Sequence, residues 1–325
     1  MQTRQLGKTD LHFSIIGLGT WAMGGGEWLY GWGDQDDEAS VRTIYRALDM
    51  GINWLDTAAV YGLGRSESVI GRALDGMRDK PYIATKCSRV WDESGQISGS
   101  LKRDSVIREA EDSLRRLRVE TIDLYQIHWP NPKEQMEEGW EAIQTLIQQG
   151  KVRYGGVSNF SVKQIQQIQP FGPVASLQPP YSMLNTRVEE ELLPFCLGEG
   201  IGVVVYSPMQ KGLLSGKMTE ERAASFPEND HRHKDTMFQE PELRINLELA
   251  SSLQSIAGEQ GITVAQLAIA WVLRQKTVTS ALVGSRKPAQ IEEIVTGFQS
   301  EIDADLLEAI DQLLTERKDL LRKLN

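Results

Sequence analysis

Four side chains in this sequence stand where they can share one task. Asp56, Lys86 and His128 each close a short apolar run, and Tyr61 lies five residues beyond Asp56. A phenol has an ordinary pKa of about 10, too high for easy proton exchange at neutral pH. A nearby ammonium favours the phenolate and lowers that pKa. Lys86 supplies such an ammonium, Asp56 can hold it protonated and oriented, and His128 can donate a hydrogen bond to a substrate oxygen. Together they make a general acid for an oxygen that is gaining negative charge. Reduction of a carbonyl by hydride needs that help; it needs no metal and no protein nucleophile. Singly, each residue has a plainer reading: a structural histidine, a surface lysine, an N-cap aspartate, a tyrosine in a pocket wall. Their shared position is the argument.

That position implies a scaffold. Short apolar runs near 13–18, 52–56, 82–86, 122–128, 152–157, 174–178, 201–206 and 278–283 alternate with helical patterns. The helical patterns cover 36–49, 66–74, 103–117, 133–148, 162–168, 188–199, 243–275 and 288–296. Gly150 and Gly200 follow helical runs as C-cap residues, and Thr263 precedes one as an N-cap. Continuously apolar strands imply burial on both faces, the mark of a parallel sheet covered by helices. Eight strand–helix units predict an α/β fold, a (β/α)8 TIM barrel forming a single domain over 1–325. The segment 3–14 predicts a β-hairpin ahead of it, with Gly7-Lys8-Thr9-Asp10 as the turn. An extra C-terminal helix follows from Leu306, and a long polar connection runs over 211–241.

In such barrels the active site lies at the carboxyl ends of the strands, and here those ends are rich in polar groups. Besides the four named, they carry Ser158-Asn159, Gln178, Tyr206-Ser207 and Gly284-Ser285-Arg286. The stretch Gly17-Leu18-Gly19-Thr20-Trp21-Ala22 fits a dinucleotide fingerprint. That fingerprint demands a helix at once, whereas 23–33 is glycine- and tryptophan-rich and reads as a loop. The phrase is therefore read as a decoy.

Longer motifs are more specific. Asp56-Thr57-Ala58-Ala59-Val60-Tyr61-Gly62 with Ser66-Glu67 and Gly71 resembles the first signature of the aldo-keto reductases. Thr85-Lys86, Gln126-Ile127-His128-Trp129-Pro130, Gly156-Val157-Ser158-Asn159-Phe160 and Tyr206-Ser207-Pro208 are similar to that family in the same order. The long connection and the Gly-Ser-Arg-Lys-Pro ending look most like the bacterial and potassium-channel β-subunit-like branches. The resemblance implies Tyr61 as acid/base with Asp56, Lys86 and His128 around it, NADPH/NADP+ as cofactor, and small-molecule aldehydes or ketones as substrates. It also implies a cofactor bed, in which Ser158, Asn159 and Gln178 hold the carboxamide and Tyr206 stacks on the nicotinamide. Gly19, Thr20, Trp21 and Asp56 stand beside the ring. Ser207, Pro208, Met209, Lys211, Gly212 and Leu213, with Lys217, wrap the pyrophosphate. Gly284, Ser285, Arg286, Gln290 and Glu293 surround the adenosine, Arg286 suiting a 2′-phosphate. Two other functions use the same residues: a Schiff-base aldolase through Lys86, and a cofactor-bound sensor subunit.

Composition sets the outer bounds. The 325 residues are 40% hydrophobic and 25% charged, with a net charge of −10. So acidic a chain is a poor ligand for nucleic acid, and any phosphate must be held by local cations and backbone amides. Two distant cysteines, Cys87 and Cys196, suggest a reduced, cytoplasmic setting. The N-terminus lacks a signal-peptide pattern and the apolar runs are too short to span a membrane. The run His231-Arg232-His233-Lys234 reads as a solvated loop, and Trp28, Trp32, Trp91 and Trp129 as loop aromatics near a substrate pocket. Nothing in the pattern sets an oligomeric state.

Overall fold

The computed structural model describes residues 1–324. The chain opens with an antiparallel hairpin, β1 (Thr3–Gln5) and β2 (His12–Ser14). Eight parallel strands then close a barrel: β3 (Ile16–Gly19), β4 (Trp54–Asp56), β5 (Tyr82–Cys87), β8 (Ile122–Ile127), β9 (Val152–Ser158), β10 (Ser176–Gln178), β11 (Gly202–Val205) and β12 (Val278–Gly284). Closure comes from β12 pairing with β3, Val283 opposite Leu18. Between β5 and β8 lies a small antiparallel ribbon, β6 (Arg89–Trp91) and β7 (Ile97–Gly99), that the sequence pattern did not announce.

Helices cover the barrel in turn: α1 (Asp37–Asp49), α2 (Arg65–Ala73), α3 (Arg103–Leu117), α4 (Met136–Gln148), α5 (Val162–Ile168) and α6 (Leu192–Glu199). The connection after β11 carries α7 (Glu220–Ala224), α8 (Glu242–Glu259) and α9 (Val264–Leu273). Then come α10 (Pro288–Val295) and the C-terminal α11 (Ala304–Arg322). The expected helix over 243–275 is thus two helices, bent by 89°. Gly261, at φ +70°, breaks the run, and Thr263 starts α9 with a capping box: its Oγ1 accepts from Gln266 N at 3.1 Å while Gln266 Oε1 accepts from Thr263 N at 3.0 Å. No single helix among the described residues is long and apolar enough to cross a membrane. The bent pair α8–α9 passes that test by length and composition together, but every residue of α9 is buried inside the fold.

Strand side chains alternate between faces, and this period stacks the barrel interior in layers. Trp54, Ala84, Leu124, Val204 and Leu282 form an apolar layer with Leu6, Leu11 and Phe13 of the hairpin. Two residues further along β4, β5 and β8 stand Asp56, Lys86 and Gln126. The hairpin is therefore a plug under a polar layer. Trp54 anchors it: fully buried, it stacks on Phe13 at 4.4 Å, and its Nε1 donates to Ser14 O and Ser280 Oγ at 3.2 and 3.1 Å. Gly17 makes room, since a Cβ there would meet the Trp54 indole at 2.2 Å. Gly71 does the same for α2 against α3, where a Cβ would come within 2.1 Å of Arg116 O.

Truncating Trp54 removes both the stacking and the filling of the lower barrel. Trp54→Ala should cost about 3–5 kcal/mol, read as a lower urea midpoint, with Trp54→Phe losing clearly less. Equal midpoints for the wild type and Trp54→Ala would contradict the plug.

Candidate active site

The polar layer is organised by one buried ion pair. Lys86 Nζ lies 2.5 Å from Asp56 Oδ1, and both side chains are almost wholly enclosed. An ammonium has three protons to donate, and each finds an acceptor: Asp56 Oδ1, Thr57 O at 2.7 Å and Tyr61 Oη at 3.3 Å. The second carboxylate oxygen of Asp56 accepts from Gln178 Nε2 at 2.8 Å and Gln126 Nε2 at 3.3 Å. Gln126, within the motif 126–130, is a site residue that the strand-end pattern does not single out. Its signal was the alternation itself, a glutamine two residues beyond an interior leucine.

Tyr61 sits in the turn after β4, against Trp21 and Trp28 with ring centroids at 6.1 and 6.0 Å. The turn is fixed by close backbone approach: a Cβ on Gly62, at φ +62°, would stand 2.2 Å from Gly24 O. Glu67, fully buried, receives Thr85 Oγ1 at 2.5 Å and Arg116 Nε at 2.7 Å. Ser66 Oγ bonds Thr20 O at 3.0 Å. The motif residues after Tyr61 thus hold the loop frame around it.

From sequence, the Lys86 ammonium is expected to lower the Tyr61 pKa. Burial instead raises the phenol well above its ordinary value, and the Asp56 carboxylate adds to the rise. Lys86 does not reverse this because its charge is matched by Asp56 at shorter range. Tyr61 is therefore a phenol holding its proton. Burial lowers the Lys86 pKa, against the raising effects of Asp56 and, more weakly, Glu67. His128 closes the set, its ring 5.7 Å from that of Tyr61. Burial, aided by Lys86 and Arg89, holds its pKa well below the ordinary imidazole value. Its Nδ1 is enclosed and has no partner among the described residues.

Above this layer opens a cavity of about 1730 Å³, larger than the ~300–1,000 Å³ of a common small-ligand pocket. Asp56, Tyr61 and His128 reach it; Lys86 lies beneath and does not line it. Gly19, Thr20 and Trp21 line one wall, and Ser158, Asn159, Gln178 and Tyr206 the floor beside Tyr61. Tyr206 OH donates to Asn159 Oδ1 at 2.9 Å. Gln178 spends its amide protons on Asp56 and Gln126, while its own oxygen accepts nothing among the described residues and so can take an amide N–H. Ser207, Pro208, Met209, Lys211 and Gly212 continue the wall. Positive φ at Ser207, Gln210, Lys211 and Gly212 gives this turn the concave backbone that binds anions. Lys217, Gly284, Arg286, Gln290 and Glu293 line the far end.

Two expected lining residues lie outside. Leu213 is fully buried among Phe226, Phe238 and Leu243, because an apolar side chain gains more from that cluster than from a wet cleft. Ser285 is buried too, its Oγ donating to Lys287 O at 2.9 Å as a turn former. Arg286 is at the rim but engaged: it donates to Gln35 Oε1 at 2.7 Å, to Trp32 O at 3.1 Å and to Asp34 O. The run 231–234 is solvated only in part: His233 and Lys234 are exposed, whereas His231 is half-buried and Arg232 buried. It is a 3-10 turn whose Arg232 lies over the rings of Phe226 and Trp32, at 3.9 and 4.5 Å, and pairs with Asp230. His231 stacks on Trp21 at 4.9 Å, and Trp32 bridges Asp230, so two loops meet across the cleft. Trp28 and Trp129 line the cavity with Trp32, whereas Trp91 packs toward Arg116. The dinucleotide-like phrase after β3 leads into a 3-10 turn, Trp21–Gly24, and not an α-helix.

A closed parallel barrel with ionisable groups gathered at the carboxyl ends of its strands defines an enzyme of the (β/α)8 class. The pattern of the Aldo/keto reductase family matches residues 15–315. The chain is 38% identical to the aldo-keto reductase YhdN of Bacillus subtilis (97% of this chain, 96% of that protein). It is 33% identical to the NADH-specific methylglyoxal reductase of Escherichia coli (97% and 99%). Its fold superposes on the structure of a glycerol dehydrogenase from Gluconobacter oxydans with a TM-score of 0.88 and 39% identity, covering 97% of this chain and 96% of that one. The chain belongs to the aldo/keto reductase family and is an oxidoreductase of that family.

A histidine whose folded-state pKa is depressed lets the unfolded chain bind the proton more readily. His128 and His231, the latter pushed down to about 4, thus withdraw stability as pH falls below about 6.5, the unfolded value. The urea midpoint should decline over that range, and long-range 1H–15N spectra should show His128 still neutral at a pH where a free imidazole is already protonated. A His128 midpoint near 6.5 would refute its enclosure.

Proposed function

We propose that this enzyme reduces aldehydes or ketones to alcohols with NADPH, Tyr61 giving the proton. The observation that carries the reading is the direction of one hydrogen bond. Lys86 has no acceptor site and must donate to Tyr61 Oη, which leaves the phenol proton free to point into the cavity. Ser158, Asn159, Gln178 and Tyr206 would hold a reduced nicotinamide, which when bound would supply the hydride. Tyr61 passes its proton to the carbonyl oxygen as negative charge gathers there. Lys86, held by Asp56, then stabilises the phenolate that remains. Neutral His128 supplies a second hydrogen bond to the same oxygen.

The aldolase alternative finds no support in this geometry. A Schiff-base lysine needs a free amine facing substrate; Lys86 lies below the cavity with all three protons engaged. The choice of NADPH rests on Arg286 and its neighbour Lys287 at the far rim. Three of the five guanidinium N–H groups hold the 32–35 loop, and the remaining two suit a 2′-phosphate. The free, buried thiols of Cys87 and Cys196 support a cytoplasmic setting.

Tyr61→Phe should lower kcat at least ~100-fold, the scale of a lost general acid, with NADPH affinity by fluorescence nearly unchanged. Turnover at the wild-type rate in that variant would sink the mechanism. Arg286→Ala should raise the KM for NADPH about 10- to 100-fold, the worth of a charged hydrogen bond, and raise that for NADH far less. An equal loss with both cofactors would make Arg286 a loop clamp and remove the case for NADPH.

A further inference from the structure

Around Tyr61 and His128 the cavity wall is made of Trp28, Val60, Ile97 and Trp129, and the charged side chain among them is Arg89. It comes from β6, at the foot of the ribbon that follows β5. His128 N donates to Cys87 O at 3.1 Å, which brings the rim of β8 beside that foot. The Arg89 guanidinium lies over the ring of Trp129, 5.7 Å from its centroid, and Trp129 is 41% exposed at the opening. Among the described residues Arg89 makes no ion pair and donates no side-chain hydrogen bond. Of the other cations lining the cavity, Lys211 is bound to Asp235 at 2.7 Å, Arg232 to Asp230 at 2.6 Å and Lys217 to Glu293, while Lys234 and Lys287, also without an ion pair among the described residues, are solvent-exposed. Arg89 thus keeps five donors in a planar fork, half-buried in an aromatic-walled cleft. Such a fork matches a carboxylate or phosphate bidentately. Its charge reaches the reacting end, where it is one of the influences that hold His128 neutral.

We propose that Arg89 is a specificity residue that selects short carbonyl substrates carrying a carboxylate or phosphate group. The anion lies on the guanidinium above Trp129, and the carbonyl reaches Tyr61 and His128. This rests on the carbonyl-reductase reading above and names its substrate class. It also reconciles an acidic protein with an anionic substrate: the net charge is −10, so recognition depends on a local, partly desolvated cation.

The test uses matched pairs of substrates with the intact enzyme. Succinic semialdehyde is set against butanal, and glyceraldehyde 3-phosphate against glyceraldehyde. The wild type should favour the charged member of at least one pair by about tenfold or more in kcat/KM, the arm that responds identifying the anion. In Arg89→Gln that ratio should fall to about one, chiefly through KM. Arg89→Lys should keep part of it, and Arg89→Glu should bring it below one. Acetate or inorganic phosphate should inhibit butanal reduction competitively, and at least ~10-fold less well in Arg89→Gln. A loss limited to folding would not move these ratios. A wild type that prefers neither anion, or an Arg89→Gln ratio equal to that of the wild type, overturns the proposal while carbonyl reduction stands. Reduction of none of the four aldehydes would overturn the parent reading and this one with it.

Discussion

Two opposite charges are buried at the centre of this barrel, and much of the site follows from keeping them satisfied. Moving an ammonium and a carboxylate out of water costs several kcal/mol per ion, which their attraction offsets only with good geometry and further hydrogen bonds. Lys86 and Asp56 meet that condition by drawing on four strands and one turn: β4 and β5 supply the ions, β8 and β10 supply Gln126 and Gln178, and the turn supplies Thr57 O and Tyr61 Oη. Each strand must hold its register, because a one-residue slip would turn the polar layer outward. The ion pair is thus an inefficient source of stability and a strict specification of geometry.

The same pair explains why Tyr61 keeps its proton. An unpaired lysine would pull the phenol toward phenolate. A lysine already matched by Asp56 leaves little net field, and burial then decides the direction. The arrangement makes a hydrogen-bond donor of Lys86 more than a source of charge.

The fold was legible where its signals are local and periodic. Eight apolar runs, the hairpin around Gly7 and the Thr263 cap are all visible in residue order, and the motifs around Asp56, Lys86, His128 and Ser158 mark the strand ends. What escaped depends on long-range packing. Arg232 reads as a solvated loop cation until the rings of Phe226 and Trp32 are brought against its guanidinium. Leu213 reads as one more residue of a phosphate-binding turn until its own apolar cluster claims it. Arg286 reads as a free cation until Gln35, Trp32 and Asp34, some 250 residues earlier, take its protons. The ribbon carrying Arg89 hides in a polar stretch because two three-residue strands leave too short a pattern to see.

The plug under the barrel ties the opening hairpin to the eighth barrel strand and the helix before it. Arg4 donates to Leu273 O and Val278 O, partners 269 and 274 residues away, and β3 finds its second neighbour only in β12. Leu6, Leu11 and Phe13 are synthesised well before Val204 and Leu282, yet the layer that buries them includes both. Contacts so remote in sequence are slow to form, since the long loop must be closed before they return any energy. The nascent chain therefore carries an apolar hairpin with no place to go until the ring can shut. The interval between the synthesis of the first barrel strand and the eighth is thus the one in which the hairpin's apolar surface stays uncovered, the general condition under which aggregation competes with folding.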